Sequence, residues 1–125
     1  RMFQTYATRN YKMELLMKVE KPWGHEIRWA ITEKYLGKIL HIDAGHQLSL
    51  QYHEVKDESI YVLEGTLLVK DKERVRILEE GESMRIQPGT VHRFCAPHTT
   101  HVKLVEVSTP EIDDVIRLED DYSRC

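Results

Sequence analysis

The stretch from Gly45 to Gly65, GHQLSLQYHEVKDESIYVLEG, constrains this chain more than any other. Gln51 and His53 are two residues apart, so an extended strand points both to one face. The polar break Glu54-Val55-Lys56-Asp57 follows. Glu58 then opens a second apolar run, Ser59-Ile60-Tyr61-Val62-Leu63, which stops at Glu64-Gly65. The pattern reads strand, turn, strand, and a hairpin of this kind can bring Glu58 back beside Gln51 and His53. His92, in Pro88-Gly89-Thr90-Val91-His92, is a fourth candidate. Neutral imidazole, carboxylate and amide carbonyl together suit a divalent metal such as Zn, Mn, Fe, Co or Ni.

At these residues the chain resembles the cupins. The glycine, the two-apart pair, the later glutamate and Gly65 are similar to the first cupin motif. Gly81 followed by Pro88-Gly89 and His92 is similar to the second. Gln51 stands where many cupins have histidine, and Pro88 falls one place later than usual. Both features are found in the branch of type II phosphomannose isomerases and the C-terminal domain of mannose-1-phosphate guanylyltransferases. Lys21-Pro22-Trp23-Gly24, Leu48-Ser49-Leu50-Gln51, His92-Arg93 and the tail from Asp113 to Arg124 resemble the same branch. The resemblance implies a metal site at Gln51, His53, Glu58 and His92. It also implies a lysine at the place of Lys38, where it would bind an anionic substrate if it faces the cavity.

Length and charge narrow the classes. With 125 residues the chain is large enough for a real core. Charged residues make up 31% and nearly balance, at a net charge of −3, which argues against a nucleic-acid or anionic-membrane surface. Apolar runs are only a few residues long, too short to span a membrane. No secretion signal is expected in residues 1–17. Cys95 and Cys125 do not make a disulfide framework, and reduced thiols in a cytoplasmic protein are expected.

Taken in order, residues 1–17 read as an N-terminal extension, and 18–125 as one cupin domain. Strands are expected over 26–31, 35–42, 47–53, 59–63, 66–70, 75–78, 83–86, 91–95 and 102–107. Short strands with turns at this spacing indicate an all-β sandwich or barrel. The resemblance narrows it to a double-stranded β-helix, the jelly-roll barrel of cupins. Thr109 with Pro110 and acids behind it predicts a short C-terminal helix. Alternation puts Gln51, His53, Glu58 and His92 inside, with Ile60, Val62 and Phe94 as cavity walls. The same alternation turns Leu48, Leu50, Tyr52, Tyr61 and Leu63 outward. An outward apolar set of this kind predicts a homodimer. Arg93, facing away from the metal, is expected in a structural ion pair. His25, His41, His46, His98 and His101 have no partner at ligand spacing and read as surface or rim residues.

What the resemblance implies for function is a metal-dependent sugar or sugar-phosphate aldose–ketose isomerase. No guanylyltransferase phosphate-binding loop stands in the sequence, so nucleotidyl transfer is not expected. The type II enzymes carry a histidine-rich run ending in arginine after the ligand histidine. Here that run is His53-Glu54-Val55-Lys56, and Ser59 replaces a histidine. Two alternatives stay open: a non-catalytic metal-dependent sugar-binding or regulatory module, and another cupin enzyme such as a dioxygenase or a uronate-processing enzyme. No residue is singled out as the catalytic base.

Overall fold

The computed structural model describes residues 17–122, and all its regular structure is strand. Eleven strands follow in chain order. They are β1 (Met17–Lys21), β2 (Gly24–Ile31), β3 (Leu36–Ile42), β4 (Leu50–Tyr52), β5 (Glu58–Glu64) and β6 (Leu67–Lys70). After these come β7 (Val75–Leu78), β8 (Ser83–Ile86), β9 (Arg93–Cys95), β10 (Val102–Ser108) and β11 (Ile116–Glu119). The expectation for residues 1–17 lies outside the described residues except at Met17, which begins β1.

One sheet runs β1-β2-β3-β10-β5-β8, with antiparallel neighbours throughout. Opposite it, β7-β6-β9 continues through the Gln47–Cys95 and Gln51–His92 bridges to β4, and β4 pairs with β11. The two layers close on an apolar core. Leu40, Ile60, Val62 and Leu104 come from the large sheet, and Leu67, Val69 and Phe94 from the other. Alternation along each strand supplies these residues. Gly65 holds the turn after β5 at φ +82°, and a Cβ there would meet the His101 carbonyl oxygen at 2.5 Å. Only glycine serves at such a place.

Two features correct the sequence reading. First, no helix follows Thr109 among the described residues. Its hydroxyl accepts the Asp57 N–H at 3.0 Å and donates to Glu111 at 2.6 Å, so it caps nothing. The Asp114 carboxylate takes the N–H groups of Glu54, Val55 and Lys56 at 3.1, 2.8 and 2.9 Å. Pinned there, the chain satisfies its next backbone groups by adding β11 to the edge of β4. The β-branched pair Val115-Ile116 suits that outcome better than a helix.

Second, Leu48 and Leu50 are buried rather than outward, and Leu48 belongs to the core. Between the Gln47–Cys95 and Gln51–His92 bridges one chain advances four residues and its partner three. The extra residue is a β-bulge, which breaks the alternation of faces. Leu48, Gln51 and His53 can therefore all line one cavity. Tyr52 is half-buried, while Tyr61 and Leu63 are exposed as expected.

Candidate metal centre and its cavity

The bulged segment and the hairpin behind it bring three buried side chains together. Glu58 begins β5, His53 follows β4, and His92 precedes β9. One ligand atom from each lies within 4.8 Å of the others. His53 Nε2 is 2.9 Å from Glu58 Oε2, and the two imidazole centroids are 5.2 Å apart. Gln51 lines the same cavity, and its backbone exchanges both hydrogen bonds with His92 at 2.9 Å. The hydroxyl of fully buried Ser49 donates to Gln51 Oε1 at 2.6 Å and orients the amide.

The hydrogen bonds around the histidines decide which nitrogen faces the cavity. His53 Nδ1 meets the Asp114 carbonyl at 2.5 Å, and His92 Nδ1 meets the Thr90 carbonyl at 2.9 Å. Carbonyls only accept, so each Nδ1 carries a proton and each ring turns its Nε2 away from that carbonyl. Both Nε2 atoms and Glu58 Oε2 are buried without a hydrogen-bond partner. Burial pushes the His92 pKa below its ordinary value, which keeps that ring neutral. Burial also acts to raise Glu58, but His53, Lys56 and His92 outweigh it and hold the carboxyl at about 2. Buried ring nitrogens gathered this closely on a carboxylate oxygen make a place for a cation between them. Donors bound at ~2.1 Å at right angles stand about 3 Å apart, close to the His53–Glu58 spacing. The Nδ1–carbonyl bonds are the outer contacts that metal-ligating histidines ordinarily make. The donor set fits a divalent metal.

The centre opens into a cavity of about 260 Å³. Phe94 lines it as expected, with Trp23, Leu40 and Leu48. Ile60 and Val62 face inward but belong to the core beneath. Lys38 does face the cavity. It is buried and lies 3.4 Å from Glu26, which Arg28 also holds at 2.7 Å. Burial acts to raise the Glu26 carboxyl, and those two cations bring it below its ordinary value.

The sequence matches the family described as "Mannose-6-phosphate isomerase C-terminal" over residues 8–120. The chain belongs to that family. Xanthan biosynthesis protein XanB of Xanthomonas campestris pv. campestris is 34% identical over 110 residues, which are 86% of this chain and 24% of that protein. Mannose-1-phosphate guanylyltransferase ManC of Salmonella typhimurium is 36% identical over 110 residues, 86% of this chain and 23% of that protein. The chain thus spans about a quarter of the length of the relatives it matches. Among solved structures, an RmlC-like cupin from Shewanella frigidimarina superposes with a TM-score of 0.70 at 18% identity. That match covers 86% of this chain and 95% of the other, and it shows the shared cupin fold.

Within this isomerase C-terminal family fold, the charged residues of the cavity wall that motif spacing does not single out include Lys56 and Glu106. Lys56 lies 3.4 Å from Glu58 Oε2 and 2.8 Å from Glu106 Oε2, and all three residues are buried. Burial acts to lower the Lys56 pKa, but Glu106 and Glu58 raise it overall. Burial and then Glu58 raise Glu106. Glu106 was legible: it shares the parity of Val102 and Leu104, both fully buried. Lys56 carried no such signal in the polar break.

Outside the cavity, Arg93 makes the expected structural contacts. It donates to the Leu48 carbonyl at 2.8 Å and lies 3.6 Å from Glu119 and 3.7 Å from Asp121. His25, His41 and His101 stack on one another at 4.9 and 4.6 Å between centroids, away from the metal centre. Cys95 is a buried free thiol whose pKa burial pushes up. Cys125 lies outside the described residues. No helix among the described residues is long and apolar enough to cross a membrane.

Proposed function

We propose that this chain binds one divalent metal through Gln51, His53, Glu58 and His92 and interconverts an aldose and a ketose, free or phosphorylated. The supporting observation is the pair of buried Nε2 atoms gathered with Glu58 within 4.8 Å, where His53 and Glu58 line a charged cavity. The metal would polarise a carbonyl and a hydroxyl on neighbouring carbons. Lys56 and Glu106, 2.8 Å apart in the wall, are the groups placed to hold a mobile proton. Lys38, the register partner of Glu106, and Arg28 hold Glu26 in the same wall and add positive potential for an anionic substrate. Membership of a family described by an isomerase domain supports the reading, and the cupin fold alone would not. A homodimer and a cytoplasmic location complete the proposal, the latter supported by the unpaired Cys95 thiol.

The test is proton exchange. Metal-loaded protein incubated with mannose 6-phosphate or fructose 6-phosphate in deuterated water should place deuterium on the carbon beside the carbonyl. The absence of turnover and of exchange with any pentose or hexose, free or phosphorylated, would refute the isomerase.

One observation favours a second reading, a binding or regulatory module. The Lys56 ammonium already lies against Glu58 Oε2, so the chain supplies a cation of its own to that oxygen. A metal-free polar network would use the same residues. Metal analysis separates the two readings of the centre.

A further inference from the structure

Five cationic side chains reach the cavity wall: Lys21, Arg28, Lys38, Lys56 and Arg117. Arg28 and Lys38 share Glu26. Lys56 lies between Glu58 and Glu106. Lys21 also acts on Glu26 and helps to lower it. Arg117 differs. Its Nε is buried and has no hydrogen-bond partner among the described residues. A buried donor left unpaired is costly, and native proteins keep few of them.

Arg117 is also held in place. Its backbone is the register partner of Gln51, so β11 fixes it on the stretch of wall that carries Gln51. Both side chains line the same cavity. β11, in the tail where the sequence predicts a helix, therefore places an arginine in the cavity wall across from Gln51.

We infer that Arg117 is the anion anchor of this cavity, and that it receives the phosphate monoester of a phosphorylated sugar. This rests on reading the cavity as a sugar-phosphate site, and it names the residue that makes phosphate preferred. The charge count points the same way. Five carboxylates, Glu26, Glu58, Glu106, Asp113 and Asp114, line the cavity against the five cations. A divalent metal leaves two positive charges in surplus with every carboxylate ionised, and more when Glu106 holds a proton. A phosphate monoester carries about −1.5 to −2 at neutral pH and offsets them, while one carboxylate offsets half. The planar guanidinium fork also matches phosphate oxygens in pairs, as a lysine cannot.

The experiment is calorimetric titration of metal-loaded protein with fructose 6-phosphate, with fructose and with inorganic phosphate. Wild type should bind fructose 6-phosphate at least ~10-fold tighter than fructose. Arg117→Met should lose at least ~10-fold for fructose 6-phosphate and for inorganic phosphate, with fructose unchanged. Arg117→Lys should keep part of the preference. Both variants should hold metal as tightly as wild type in chelator competition, which shows the centre intact. Equal binding of fructose 6-phosphate by wild type and Arg117→Met would overturn the inference, as would equal losses for the phosphorylated and neutral sugars. The outcomes also separate it from the isomerase. Arg117-dependent phosphate binding without deuterium exchange keeps the anchor and removes the isomerase. Exchange with fructose 6-phosphate that is undiminished in Arg117→Met keeps the isomerase and removes the anchor.

Discussion

Asp114 shows how one residue at the cavity wall can set the metal centre without being a ligand of it. Its carboxylate gathers three consecutive N–H groups of the 54–56 loop, and its carbonyl takes the His53 Nδ1 proton. Asp114→Ala should cost about 1–2 kcal/mol, like the loss of a capping carboxylate, and should weaken metal binding by freeing His53 and Lys56. Urea unfolding and metal titration of the variant measure the two effects. Glu58 sets a pH dependence. Its folded-state carboxyl, at about 2, lies below the ordinary 4.5. Its contribution is therefore complete above about pH 4.5, falls with pH, and is gone below about pH 2. In metal-free protein the stability difference between wild type and Glu58→Gln should shrink as pH falls through that window. A difference that does not change with pH would contradict this. Gln51, His53, Glu58 and His92 were legible because motif spacing places them. Lys56 was not, because nothing in the polar break marks it for burial, and neither was the Asp114 carbonyl on His53 Nδ1, which comes from 61 residues away.

At the scale of elements, strand positions follow from alternation and turn residues, and Val75–Leu78 and Ser83–Ile86 fall where expected. The failures have physical causes. Alternation assumes an unbroken ladder, and the bulge between Gln47 and Gln51 adds a residue that no local pattern announces. The tail carried capping chemistry, but the open edge of β4 and the Asp114 clamp outweighed it. The bulge yields a direct comparison. Leu48→Ala, in the core, should cost about 2–4 kcal/mol. Ile77→Ala, on β7 and 61% exposed, should change stability by no more than about 0.5 kcal/mol. Denaturant midpoints of the two variants decide it, and similar costs would place Leu48 outside the core after all.

Across the whole molecule, the cavity opens within the barrel while the large sheet turns an apolar face outward. Trp29, lying over Gly37, shares that face with Tyr61, Leu63 and Val107, all at least 40% exposed. A second copy covering this face is the proposed dimer, without the Leu48 and Leu50 that the sequence reading assigned to it. Light scattering at micromolar concentration should show a dimer, and Tyr61→Lys with Val107→Lys should give a monomer. A monomeric wild type would count against it. The central claim, a metal centre built from Gln51, His53, Glu58 and His92, is tested most directly by metal content. Purified untagged protein, reloaded and desalted, should carry one divalent ion per chain. His53→Ala with His92→Ala should carry none while keeping its strand signal in circular dichroism. Stoichiometric metal in that double variant, or no metal in wild type after reloading, would contradict the account.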